Sequence, residues 1–244
     1  MRERPILFSA PMVRAILAGT KTQTRRVVKL PHLNPLGQWE PFRFGGEGCR
    51  DSKGREISGQ MTISHTRTGE VIGCPYGVPG DRLWVREAWA DLTESHGRPY
   101  ERHNTATGLY ERGTEPFVWH RADGEQPDNG SGAEKYAPWR PSIHMPRLAS
   151  RIDLEITGVR VERLQDISAE DCIAEGMQSF LREHDAVCDL QDQFRALWDS
   201  IHGKPVIERD SEGREIARRM FDWAANPWVW VVEFRRIKSA KGGA

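Results

Sequence analysis

The sequence predicts an α+β fold in which short helices flank a mostly β body. Three observations predict it. Period-two alternation of apolar and polar residues recurs over 82–89 and 151–164, and 229–237 reads as a last strand. Apolar residues at helical spacing occupy 11–18, 168–176 and 183–202. Between these patterned stretches lie two long segments rich in Gly, Pro and polar residues, 31–70 and 91–138.

In chain order, Pro11 suits the first helical turn, where its missing N–H is unpaired in any case, and Met12, Ala15 and Ile16 fall on one face. Gly19 supplies a left-handed stop. From 22 to 28 the β-branched and arginine residues favour an extended strand. Thr22, Thr24, Arg26 and Val28 then point to one side, and Gln23, Arg25 and Val27 to the other. Lys21 falls at the bend, where strict alternation directs it away from Thr24; only a turn over residues 19–21 brings both to one pocket. Segment 31–70 reads as an insertion holding one hairpin. Its Gly45-Gly46-Glu47-Gly48 is no phosphate loop, because it lacks a Gly-Lys-Ser/Thr ending and no helix follows.

A turn over 74–81 leads into a half-buried strand at 82–89 with Leu83, Val85 and Glu87 on one face. A carboxylate on that face calls for a cation. Arg25, Arg26 and Arg147 are the candidates, for a structural ion pair or for a second pocket carboxylate. Segment 91–138 reads as a second, partly mobile insertion with one apolar run at Phe117-Val118-Trp119. Two strands, 151–156 and 159–164, are expected to join at Thr157-Gly158. Ser168 caps a short helix with Asp171 as its reciprocal partner, and Gly176 ends it. Val187, Leu190, Phe194, Leu197, Trp198 and Ile201 predict a core-facing helix closed by Gly203, and 229–237 is the last strand.

Lysine plus arginine and aspartate plus glutamate are equal at 35 each, so the formal charge is zero. The first 30 residues nevertheless carry seven basic side chains against Glu3 alone, a local formal charge of +6. A solvated surface and a groove for phosphate or nucleotide are both open readings of that run. No segment approaches the roughly 20 apolar residues that span a bilayer. The first apolar run is too short for a secretion signal, and Cys49, Cys74, Cys172 and Cys188 are widely spaced, so a reducing cytoplasm is expected. A zinc site would require Cys49, Cys74 and histidines such as His65 to converge from afar. No metal or cofactor is expected, and Cys172 and Cys188 read as helix-packing residues.

Leu17-Ala18-Gly19-x-Lys21-Thr22-x-Thr24-x-Arg26 resembles the signature of the ASCH domain family, small β-barrels related to the PUA fold of RNA-modifying enzymes. Residues 168–177, with Glu175-Gly176 at the helix end, look like a second element of that family. Pro5-Ile6-Leu7-Phe8-Ser9, Gly80-Asp81-Arg82-Leu83-Trp84-Val85-Arg86-Glu87 and Asn226-Pro227-Trp228-Val229-Trp230 extend the likeness to the long ASCH-type proteins of phages and prophages. The resemblance implies one PUA-like β-barrel domain over 1–238, with insertions at about 31–70 and 91–138 and a disordered tail at 239–244.

In the amidohydrolase branch of the family, a Lys, Thr, Glu set acts on N4-acetylcytidine, and the matching residues here are Lys21, Thr24 and Glu175. Amide hydrolysis needs a nucleophile or activated water, a proton carrier and an oxyanion donor. Thr24 fits the first role, Lys21 the second and Arg26 the third. A lysine base must fall from about 10.4 to about 7 or 8, which burial favours and a carboxylate opposes. Ammonium Lys21 then orients Thr24 or stabilises negative charge, while Glu175 binds or protonates the departing amine. Taken singly, the three are an ordinary surface Lys, strand Thr and helix-end Glu. Arg25, Arg140 and Arg147 are candidates for phosphate contacts, and Trp84, Trp139, Glu87 and His144 complete the proposed binding set, with His144 also readable as a packing histidine. The ligand is then a modified nucleoside or single-stranded RNA. A non-catalytic RNA-binding module and a ribonuclease are the rivals that the resemblance also allows.

Overall fold

A computed structural model describes residues 1–32, 35–56, 59–92, 101–104, 109–112, 118–126, 137–179, 183–209 and 211–237. Its elements are, in order, β1 (Glu3–Leu7), α1 (Ala10–Ala18), β2 (Gln23–Val27), β3 (Trp39–Phe44), β4 (Gln60–His65), β5 (Val71–Gly73), β6 (Arg82–Arg86), β7 (Trp89–Asp91), β8 (Glu101–Asn104), β9 (Leu109–Arg112), β10 (Val118–His120), β11 (Asp153–Arg163), α2 (Ala169–Ala174), α3 (Glu183–His202), β12 (Val206–Arg209), β13 (Glu215–Arg219) and β14 (Trp228–Ile237). The fold is mixed α+β and mostly sheet. The chain divides into two compact units: one of Met1–Ala18, Arg82–Glu155 and the residues from Arg236 on, the other of Gly19–Asp81 and Ile156–Arg235.

In the first unit, β1 runs parallel to β6, Glu3 opposite Arg82 through Leu7 opposite Arg86, and the first residues of β11 pair antiparallel with β6. Ile6, Leu83, Val85 and Leu154 supply fully buried side chains, as do Val13 and Ile16 of α1. The buried stripe of α1 is therefore Val13 and Ile16, with Met12 only half-buried. The strand expected over 82–89 stops at Arg86, and Glu87 donates its N–H to the Met145 sulfur before β7 begins. β7 pairs with β10, and β8 pairs with β9. Of the expected mobile insertion, 93–100, 105–108, 113–117 and 127–136 lie outside the described residues, as does the expected tail at 239–244. Leu92, at the start of that segment, is buried.

In the second unit the rest of β11, β14 and β2 form a sheet in the order β11–β14–β2, with Val229 opposite Val27 and Glu233 opposite Gln23. β2 ends this sheet, and among the described residues the strands close into no barrel. Helices α2 and α3 cover it through Leu164, Ile167, Cys172, Leu190, Phe194, Trp198, Val229 and Val231. Burial of such a set is the main stabilising term, at about 1.5–3 kcal/mol for each large side chain. Val187 and Ile201, expected in that stripe, are 43% and 55% exposed, so the apolar face of α3 is narrower than its spacing suggests.

The turn expected at Thr157-Gly158 is absent: β11 runs unbroken through eleven residues. A Cβ on Gly158 would collide with the Glu233 carboxylate of β14, so the glycine marks close approach within the sheet. Segment 31–70 holds more than the expected hairpin. β3, β4 and β5 form a three-stranded sheet around buried Trp39, Thr62, Ile63 and His65, and two polar side chains inside it masked the pattern.

Ser168 accepts from the Asp171 N–H, but the Asp171 carboxylate turns to Arg25, Arg160 and Gln23 instead of completing the expected reciprocal cap. Cys172 is fully buried beneath α2, and burial pushes its thiol up to about 11. Cys188, expected to pack, is exposed, as is Cys49, while Cys74 is half-buried. Native-state alkylation read by mass spectrometry should therefore modify Cys49 and Cys188 first and leave Cys172 unmodified until the chain unfolds.

Candidate active site

The site is assembled where α1 ends. Gly19 adopts φ +78°, which lets the chain turn sharply into β2. Thr22 is then pinned from both sides: its N–H donates to the Ala174 carbonyl at 2.8 Å, and its carbonyl accepts from the Phe234 N–H at 2.8 Å. These bonds press Lys21 against the C-terminal end of α2. Its ammonium donates to the Glu175 carboxylate (Oε2) at 2.6 Å and to the Glu175 main-chain carbonyl at 2.8 Å. Lys21 is 2% and Glu175 5% exposed.

Arg25 reaches the same carboxylate from the strand. Its Nη1 donates to Glu175 Oε1 at 3.3 Å, its Nη2 to Glu162 at 2.5 Å and Asp171 at 2.7 Å, and its Nε to Glu162 at 3.0 Å. Arg160 ties off the far side by binding Glu162 (3.0 Å), Asp171 (2.8 Å) and Glu233. Gln23 adds a 2.9 Å bond to Asp171. Lys21, Gln23 and Arg25 thus act as one odd-numbered face, in the period expected of extended chain. Such a network holds only because every buried charge meets an opposite one.

Thr24 is buried one residue away, opposite Val232 in the sheet, and alternation assigns it and Arg26 to the other face of β2. Burial, reinforced by Arg26 and Arg25 and opposed by Glu175, pushes the Lys21 ammonium below its ordinary value. Burial also raises the Tyr76 hydroxyl, against the pull of the Arg26 charge. His202, at the end of α3, is pushed down first by burial and then by Arg26. Tyr76 and His202 were not anticipated from the sequence; His202 follows Trp198 by four residues, and that spacing was the available signal.

The His202 shift carries a sign for stability. A histidine held neutral in the fold takes up its proton more readily when unfolded, so its contribution is lost as pH falls below about 6.5. His120 in the first unit, lowered mainly by burial, acts in the same direction. The urea midpoint should therefore drop on acidification from about pH 6.5, and His202→Phe should make that drop shallower while leaving the His120 part.

Trp84, Glu87, Trp139, Arg140, His144 and Arg147 belong to the first unit. Glu87 is 1% exposed and is held by Arg151, at 3.0 and 3.3 Å, not by Arg25, Arg26 or Arg147. Arg147 binds Asp153 at 2.7 Å and Glu3 at 3.4 Å, and it joins Arg86 over the Trp84 ring. Arg121 lies over Trp139, and Arg140 over Trp89. His144 is exposed in a single 3₁₀ turn, Ser142–His144, not packed in a strand. Among the described residues no group of three His, Cys, Asp or Glu side chains is disposed to hold a metal ion, and no helix is long and apolar enough to cross a membrane.

Comparison of the chain with protein-family models, with curated proteins and with solved structures finds no match.

Proposed function

We propose that the chain is an ASCH-type protein with a PUA-like core that hydrolyses the amide of an N4-acylated cytosine nucleoside. One observation carries the reading: a lysine and a glutamate 154 residues apart meet at 2.6 Å in a buried site, at the two positions the amidohydrolase resemblance singles out. The glycine-stopped helix before β2 and the Glu175-Gly176 end of α2 support the same likeness. A lysine whose proton is loosened by burial and whose partner is a carboxylate can pass a proton to a leaving amine. Arg26, whose charge bears on Lys21, supplies a donor for the developing oxyanion, and because Thr24 falls on the face of β2 away from Gln23 and Arg25, a water supplies the attacking oxygen.

This favours a nucleoside over an RNA strand as ligand. Lys21 and Arg25 are buried among carboxylates, where a phosphate would meet like charge. Binding governed by phosphates would weaken with salt at a log–log slope of about −0.7 per contact; nucleoside binding should show almost no salt dependence. The zero exposure of the Lys21 side chain favours one other reading, in which the network is a structural pin without catalysis.

Turnover of N4-acetylcytidine to cytidine separates them. Lys21→Met and Glu175→Gln should each lower the rate by about 10²-fold or more, a typical acid–base contribution, while Thr24→Ala should stay close to wild type. A comparable loss in Thr24→Ala would instead assign the attack to its hydroxyl. Wild-type protein inert toward acylated cytosines would leave the structural reading standing.

A further inference from the structure

We infer that the second unit carries a separate binding pocket for an aromatic anion of the nucleoside monophosphate class. A cavity of about 290 Å³ opens between the start of the chain after β2 and the β13–β14 connection. Its cationic lining is Arg163, Arg218 and Arg219, its apolar lining includes Met220, Phe221 and Trp228, and among the described residues no acidic side chain lines it. It is distinct from the Lys21–Glu175 site, shares no lining residue with it, and does not depend on the amidohydrolase reading.

Each guanidinium is held in place by named partners. Arg163 lies over the Trp228 ring, 4.1 Å from its centre, and donates to the Asn226 carbonyl at 3.2 Å. Arg219 is fixed by Glu208 at 3.1 Å and by the Leu30 carbonyl. Arg218, with a 60% exposed side chain, leans on Glu215 at 3.1 Å. Two of the three cations are thus partly balanced by carboxylates from the β12–β13 hairpin. Guanidinium forks match the paired oxygens of a phosphate, while aromatic and apolar walls match a flat ring. The volume sits at the lower end of small-molecule pockets and suits one nucleotide rather than a dinucleotide.

The test is isothermal titration of the full chain with cytidine and adenosine 5′-monophosphates, the parent nucleosides and inorganic phosphate. Expected is binding of the monophosphates that falls at least about tenfold in Arg163→Gln and in Arg218→Gln, the loss typical of one charged hydrogen bond. The nucleosides and inorganic phosphate should each bind more weakly than the monophosphates. Arg218 is exposed enough that its replacement leaves the fold intact, so an Arg163 variant that unfolds does not remove the test. A short oligonucleotide run alongside identifies the source: tighter binding than the monophosphate marks a strand, equal binding a free nucleotide. Monophosphate binding unchanged in both variants, or absent from wild type, overturns the proposal. So does inorganic phosphate binding as tightly as the nucleotides, which would leave the aromatic wall without a role. Neither result bears on acylcytidine turnover, which reads the Lys21 site alone.

Discussion

Replacing Glu175 by Ala is expected to lower the unfolding free energy by about 3–5 kcal/mol, the cost of leaving a buried cation without its carboxylate. The reason is the double claim on that side chain: Lys21 holds one oxygen at 2.6 Å and Arg25 the other at 3.3 Å, with all three residues at most 5% exposed. Urea denaturation at pH 7 measures the loss. A second variant, Lys21→Met with Glu175→Leu, removes the charge pair instead of half of it, and apolar replacements of similar volume are often neutral in such sites. It should regain much of the lost stability while remaining inactive. A double variant no more stable than Glu175→Ala would show that Glu175 matters for something other than pairing with Lys21.

Arg25→Ala should cost a comparable amount at pH 7 and, more tellingly, weaken the local response to acid. In the wild-type fold Asp171 is held below its ordinary range by Gln23, Arg25 and Arg160 against the opposing effect of burial. Stability from Asp171 is therefore present at neutral pH and lost as pH falls through that depressed value. Without Arg25, Asp171 loses one of the two guanidinium groups that hold it down but keeps Arg160 and Gln23, so its carboxyl moves back toward its ordinary value. A carboxylate less depressed in the fold contributes less stability at neutral pH and loses less as pH falls below about 4. The deficit of Arg25→Ala relative to wild type should therefore shrink as pH falls below about 4. A deficit constant through that range would mean that Arg25 does not hold Asp171 down.

Periodicity disclosed the helices, the last strand and the glycine stop because each is a local property. Leu190, Phe194 and Trp198 are buried at the spacing that predicts it, and Gly19 has the positive φ that a left-handed stop requires. Gly158 misled because a glycine beside threonine has the same signature whether it turns the chain or makes room for Glu233. The binding partners of Arg25 were illegible for a different reason. Glu162, Asp171 and Glu175 lie 137, 146 and 150 residues away, and opposite charges at such separations leave no pattern in a single sequence. Glu175 was singled out only through the family likeness. Tyr76 and His202 escaped notice because their relation to Arg26 exists only after the chain has folded.

The hydrogen bonds that pin Thr22 have a consequence for the order of events during synthesis. One partner, Ala174, emerges from the ribosome about 150 residues later, and the other, Phe234, later still. A contact that spans so much chain closes a long loop and waits for it. Until β14 is made, β2 lacks the strand it pairs with, although Glu162, Asp171 and Glu175, the carboxylates that Lys21 and Arg25 bind, already precede it in the chain. A nascent chain released before β14 thus carries every residue of the Lys21–Glu175 pair without the strand that pairs with β2 and gives it its place in the sheet.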